Sequence, residues 1–218
     1  MPEVRSAEVR SALAEQFDTL EQQHDAAHLG VWTFLATEIL FFGGLFMAYI
    51  VYRHLYPHAF AIASKHTNLL YGTVNTAVLL TSSLTMALAV HAAQENRVKA
   101  LLGYLMTTIF FAVGFLVVKG LEYHEHFADH LVPGAHFALT TEPKTQLFFW
   151  LYFTMTGLHA IHVIVGVGVL TVLTWMSTQH RFSSEYSTPV EMGGLYWHFV
   201  DIVWVFLYPL LYLINRHV

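Results

Sequence analysis

Ionisable side chains recur at helical spacing inside stretches that are otherwise apolar. His159 and His162 lie three residues apart in one such stretch, and His198 and Asp201 repeat that spacing in the next. Residues three apart share one face of a helix. A charged side chain at the centre of a bilayer costs at least about 2.5 kcal/mol, so these groups need either a functional site or a polar partner. We favour polar contacts between helices, because lipid offers no such partner.

Glu38 is the most isolated of these groups. All its neighbours three and four positions away along a helix are apolar: Phe34, Leu35, Phe41 and Phe42. Either a group from another helix or subunit meets the carboxyl, or burial keeps it protonated. Two hypotheses follow, a neutral acid hydrogen-bonded across a helix interface and a proton-exchanging group near a transfer route.

Haem and zinc sites are the competing hypotheses. A bis-histidine haem needs two imidazoles at matching depth on facing helices, and His91 and His198 lie near the same end of their stretches. Bulky neighbours of His198 and the lack of a second matched pair weaken this hypothesis. Glu122 and His126, four residues apart with further histidines at 130 and 136, could bind zinc. A hydrated interfacial turn fits that segment better.

The composition is that of a membrane protein. Hydrophobic residues make up 56% of the 218-residue chain and charged residues 11%, against about 25% charged residues in soluble domains. The net charge of −5 argues against a nucleic-acid surface. The chain has no cysteine, which excludes disulfides, thiolate metal sites and iron–sulfur clusters.

Five apolar stretches are long enough to cross a membrane as helices, since each reaches the required length of about 20 residues. They lie near residues 28–52, 68–93, 99–121, 147–176 and 193–215. The sequence therefore predicts an all-α fold, a polytopic bundle of five transmembrane helices forming one membrane domain over 28–218.

Residues 1–27 differ in kind from the rest of the chain. They hold six acidic and two basic side chains, and their apolar residues form one helical stripe: Val9, Leu13, Phe17 and Leu20. This pattern predicts an amphipathic surface helix, either docked on a partner or partly frayed. Lysine and arginine divide five against five between the two sides of the predicted bundle, so the positive-inside rule leaves the topology open.

Five motifs in order along these stretches match a known family. They are Glu38 to Phe42, Asn75 to Ser83, Glu122-Tyr123, Gly157 to His162, and Trp197 to Trp204. From residue 28 to its end the chain resembles subunit III of the haem–copper terminal oxidases, in the five-helix form that lacks the family's first two helices.

The resemblance implies a non-catalytic subunit of an aerobic cytochrome c oxidase in a bacterial cytoplasmic membrane. Such a subunit binds no haem or copper, packs on subunit I in a complex with subunit II, holds phospholipids and supports proton uptake. The N-terminus is then cytoplasmic and the C-terminus outside. Glu38 looks like the family's carbodiimide-reactive carboxylate. The expected polar contacts between helices or subunits are Glu122, His159, His162, His198 and Asp201.

Other functions remain open at this point. The same fold serves quinol oxidases, and a related protein accompanies nitric oxide reductases. The alternative from a different functional class is a haem-bearing transmembrane cytochrome that acts alone. The chain departs from the family pattern at His124-Glu125-His126 and in its acidic N-terminus, which suggests membership of a larger respiratory supercomplex.

Overall fold

The computed structural model describes residues 16–134, 137–139, 144–179, 182 and 186–213. Within these ranges the fold consists of six α-helices and a short π-helical turn: α1 Leu20–Leu55, α2 Pro57–Ser64, α3 Leu69–Gln94, α4 Val98–Ala128, α5 Thr145–Thr178, α6 Thr188–Tyr208 and the turn Pro209–Leu213. Five helical segments are long and apolar enough to cross a membrane. The prediction of an all-α bundle with five transmembrane helices is confirmed.

Local chemistry fixes several of these helix ends. Thr19 caps α1, because its hydroxyl oxygen accepts a hydrogen bond from the Gln22 amide at 3.1 Å, and Asn68 caps α3 in the same way through the Leu70 amide. Such caps satisfy amide groups that have no partner within the helix. Pro57 is the first residue of α2, a position where its missing N–H is not needed. Asn96 supports the tight α3–α4 turn with a φ of 58°.

Two helices extend beyond the predicted spans. Helix α1 begins at Leu20, so residues 20–27 continue the first transmembrane helix. Residues 1–15, which carry most of the predicted amphipathic segment, lie outside the described part of the chain. Helix α4 runs to Ala128, and Glu122 and His126 are therefore helical residues whose buried side chains face the bundle. The prediction of a loop from Glu122 was wrong, because the segment's charges are satisfied inside the protein.

Helix α6 lies at the centre of the bundle, in contact with α1, α3 and α5, whereas α4 packs on α3 and α5. Close packing depends on glycine where α5 meets α6. A Cβ atom added to Gly166 would lie 2.7 Å from a ring carbon of Trp197. Helix α1 lies at the edge of the bundle. In its most apolar part 17% of the residues are buried, against 50% in the last membrane-spanning segment. One side of α1 is therefore not covered by the other described helices.

Candidate functional site

Glu38 meets a histidine of another helix. The Glu38 Oε2 atom on α1 lies 3.1 Å from His162 Nε2 on α5. The other ring nitrogen of His162, Nδ1, lies 2.8 Å from the Leu158 carbonyl oxygen. A carbonyl only accepts, so Nδ1 carries a hydrogen and donates it. A hydrogen bond between His162 Nε2 and the Glu38 carboxyl group then requires one further proton, carried by either partner.

The Glu38–His162 pair sits in a largely apolar setting at the edge of the bundle. The two side chains are 20% and 16% exposed, respectively. The Phe42 ring lies 5.2 Å from the His162 ring, and the Tyr196 hydroxyl donates to the His162 carbonyl oxygen at 3.0 Å. Helices α1, α5 and α6 thus meet around the Glu38–His162 contact.

The interface between α3 and α6 carries a ladder of polar contacts. Trp197 Nε1–H donates to Ser82 Oγ at 3.1 Å, and Trp204 Nε1–H donates to Thr76 Oγ1 at 3.1 Å. His198 Nδ1 and the Ser83 hydroxyl share a hydrogen bond of 2.8 Å. The hydroxyl residues of α3 therefore bind the indole and imidazole groups of α6, which no local pattern on either helix indicates.

Asp201 and His159 are buried without comparable partners. The Asp201 carboxyl group is close enough to interact with the Ser83 hydroxyl, which is hydrogen-bonded to His198. Neither carboxyl oxygen makes a hydrogen bond of good geometry with a described residue. His159 packs between Phe115 and Trp204, with ring centroids 5.4 and 5.1 Å away. Neither of its ring nitrogens is hydrogen-bonded in the described structure. His159 and His162 lie three residues apart on α5, but they meet different neighbours.

Glu122 takes part in a buried ion pair whose cation the sequence analysis missed. Lys119 Nζ donates to Glu122 Oε2 at 3.0 Å, to the Tyr152 hydroxyl at 2.9 Å and to the Tyr212 hydroxyl at 2.8 Å. Both tyrosines donate to Glu122 Oε1, at 2.8 and 2.7 Å. The Lys119 and Glu122 side chains are 3% and 0% exposed. The cluster joins α4, α5 and the C-terminal turn. Lys119 could have been found, since it lies three residues before Glu122.

The proposed metal ligands Glu122 and His126 make contacts within the protein, although His126 Nε2 has no hydrogen-bond partner among the described residues. His126 Nδ1 lies 2.7 Å from the Glu122 carbonyl oxygen, and its ring stacks on Tyr152 at 5.2 Å. Within the described ranges, no three histidine, cysteine, aspartate or glutamate side chains are placed to hold a metal ion. His136, the last member of the proposed zinc set, lies outside those ranges.

The two histidines considered as haem ligands lie at different levels. His198 contacts Ser83, whereas His91 lies two turns further along α3, about 12 Å at the helical rise of 1.5 Å per residue. The His91 side chain is 65% exposed and lies 3.5 Å from Glu95. This pair therefore lacks the matched depth that bis-histidine ligation of one haem requires.

An apolar groove of about 440 Å³ runs between α1 and α6. His198 contributes the one ionisable side chain of its wall. The lining residues are Trp32, Leu35, Ile39, Phe42, Gly43 and Phe46 from α1, and Leu195, His198, Phe199, Ile202, Val203 and Phe206 from α6. Phe42 also contacts the His162 ring and so separates the groove from the Glu38–His162 pair.

Known proteins resemble this chain over almost its whole length. The family model described as "Cytochrome c oxidase subunit III" matches residues 18–215. Proteins named "Cytochrome c oxidase subunit 3" are similar in Thermostichus vulcanus, with 30% identity over 91% of this chain and 92% of the relative, and in Synechocystis sp., with 35% identity over 87% and 76%. A third, from Corynebacterium diphtheriae, is 30% identical over 86% and 87%. The chain therefore belongs to the cytochrome c oxidase subunit III family and is a multi-pass membrane subunit of an oxidase complex.

Proposed function

We propose that the chain is the non-catalytic subunit III of a bacterial aerobic oxidase that passes electrons from cytochrome c to oxygen and pumps protons. It packs against subunit I in a complex with subunit II, and those partners carry the haem and copper. The observation that carries this proposal is the family match over residues 18–215, together with the names of the bacterial relatives.

The first contribution of the chain to the complex is lipid binding in the groove between α1 and α6. The groove wall consists of aromatic and aliphatic side chains, with His198 as its single ionisable member. A concave apolar surface of this kind suits an acyl chain. A phospholipid seated there stabilises the contact of the edge helix α1 with α6, because it covers apolar side chains of both helices.

The second contribution is support of proton uptake by subunit I through the Glu38–His162 pair. The 3.1 Å contact holds one proton that moves between carboxyl and imidazole without changing the net charge. Transfer within the pair therefore avoids the cost of creating an isolated charge in an apolar setting. Partial exposure of both side chains allows the pair to exchange this proton with a neighbouring subunit.

Purification of the tagged chain from its native membrane in mild detergent tests the proposal. We expect haem-containing oxidase subunits to copurify, together with the subunit that accepts electrons from cytochrome c. After the partners are stripped away, the chain should be colourless. Copurification with a quinol oxidase or a nitric oxide reductase would instead support those alternatives. A Soret band retained by the isolated chain would support the alternative hypothesis of a haem-bearing cytochrome. Native-gel migration of the same preparation reports whether a larger supercomplex forms.

A further inference from the structure

Among the described residues, three buried side chains have both of their polar atoms without a hydrogen-bond partner. They are Asn75 on α3, His159 on α5 and Asp201 on α6. Their residues are 0%, 0% and 3% exposed. Buried polar groups in proteins are almost always hydrogen-bonded to protein or to ordered water, so these six atoms require a ligand.

All three residues belong to helices that meet at one tryptophan. The His159 ring is 5.1 Å from the Trp204 ring, and Trp204 Nε1–H donates to Thr76, the residue that follows Asn75. Asp201 lies three residues before Trp204, on the same side of α6. The unpartnered atoms thus come from three helices that meet at Trp204, and we call this region the Trp204 layer.

The chemistry of the six atoms selects the ligand. A neutral imidazole offers one donor and one acceptor, an amide offers both, and a carboxyl group is mainly an acceptor. The amide hydrogens of Asn75 disfavour a bound cation, and the acceptors of Asp201 disfavour an anion. A ligand for this set must be neutral, small enough to be enclosed, and able both to donate and to accept.

From these contacts we infer that internal water molecules bind in the Trp204 layer, bridging polar side chains of α3, α5 and α6. Buried waters typically make about three hydrogen bonds to groups that lack protein partners. This water contributes to the cohesion of the bundle and does not depend on which electron donor the oxidase uses.

Radiolytic footprinting of the intact oxidase in water labelled with ¹⁸O tests this inference, because hydroxyl radicals formed from bound water oxidise the aromatic rings beside it. Trp204 is the reporter. Phe60, 1% exposed and packed between Tyr49 and Phe148, is the dry control. Each oxidation rate is divided by the rate of the same residue in the unfolded chain. We expect the normalised rate of Trp204 to exceed that of Phe60 several-fold, with ¹⁸O in the product.

Two variants locate the water. Asn75→Leu removes two of the polar atoms at similar size and should lower the labelling of Trp204, whereas Asp201→Asn keeps the layer polar and should preserve it. Equal normalised rates for Trp204 and Phe60 in the wild-type complex would overturn the inference, even if neither variant assembles. Undiminished labelling of Trp204 in an assembled Asn75→Leu complex would also overturn it. Cytochrome c oxidation by the same samples checks the proposed function separately.

Discussion

At the residue scale, the Glu38–His162 contact predicts how substitutions at Glu38 behave. Glu38→Gln should assemble normally, because the amide N–H can donate to His162 Nε2 as the protonated acid does. Glu38→Ala leaves that nitrogen unpartnered, at a cost of about 1–3 kcal/mol. Glu38→Lys should damage packing most, since it places a charge among Phe34, Phe41 and Phe42. The yield and thermal stability of the purified complex measure all three. Loss of assembly in the Gln variant but not in the Ala variant would contradict the shared-proton picture.

The buried Lys119–Glu122 pair gives a second prediction. Removal of one partner leaves an uncompensated buried charge, which costs about 3–5 kcal/mol. Lys119→Met and Glu122→Gln should therefore each destabilise the bundle strongly. The double variant should be less destabilised than the sum of the single variants. Thermal unfolding of the four proteins, treated as a double-mutant cycle, checks this expectation. Additive effects would mean that the two charges do not stabilise each other.

These two sites also show what the sequence could and could not predict. The isolation of Glu38 among apolar neighbours left two possibilities, a partner from elsewhere or a protonated carboxyl group. The sequence could not point to His162, because it lies far along the chain and only the packing of α1 on α5 brings it near. The three-residue spacing of Lys119 and Glu122 could have been recognised in the sequence. Their tyrosine partners could not have been predicted, because the C-terminal turn brings Tyr212 to the pair. Roles of these residues in the assembled oxidase stay predictions.

At the element scale, the number and placement of the membrane-spanning helices were easier to predict than their ends. Hydrophobic stretches mark where lipid surrounds a helix, so the five spans were evident. Helix α4 continues past its apolar stretch because Glu122 is satisfied by Lys119 and two tyrosines. Such tertiary contacts override local polarity, and a sequence pattern does not contain them.

The crossing of α5 and α6 carries a prediction with a matched control. A Cβ atom at Gly166 would lie 2.7 Å from the Trp197 ring, whereas one at Gly168 would meet nothing within 4 Å. Gly166→Ala should destabilise the bundle by about 1–3 kcal/mol, the usual range for overpacking. Gly168→Ala on the same helix should be close to neutral. Thermal unfolding of the two variants measures the difference, and equal stability would show that α5 and α6 adjust freely.

At the scale of the whole molecule, the orientation in the membrane that the family resemblance implies is a prediction open to direct measurement. The chain has no cysteine, so a single introduced thiol is a clean reporter. Lys65 and Lys99 are both exposed and lie at opposite ends of α3. With a cytoplasmic N-terminus, a membrane-impermeant maleimide should label the Lys65→Cys variant in intact spheroplasts. The Lys99→Cys variant should react only after lysis, and the reverse pattern would invert the proposed topology.

The groove between α1 and α6 connects the architecture to the proposed lipid binding. Gly43 lines the groove, and a Cβ atom there meets nothing within 4 Å, so Gly43→Leu should fill part of the groove without displacing the helices. Gly44→Leu is the matched control, since Gly44 is equally unobstructed and is not among the lining residues. We expect the Gly43 variant to retain less phospholipid per oxidase, measured by mass spectrometry, and to lose activity sooner during turnover. If both variants kept the same lipid as the wild-type complex, the groove would not be the lipid site.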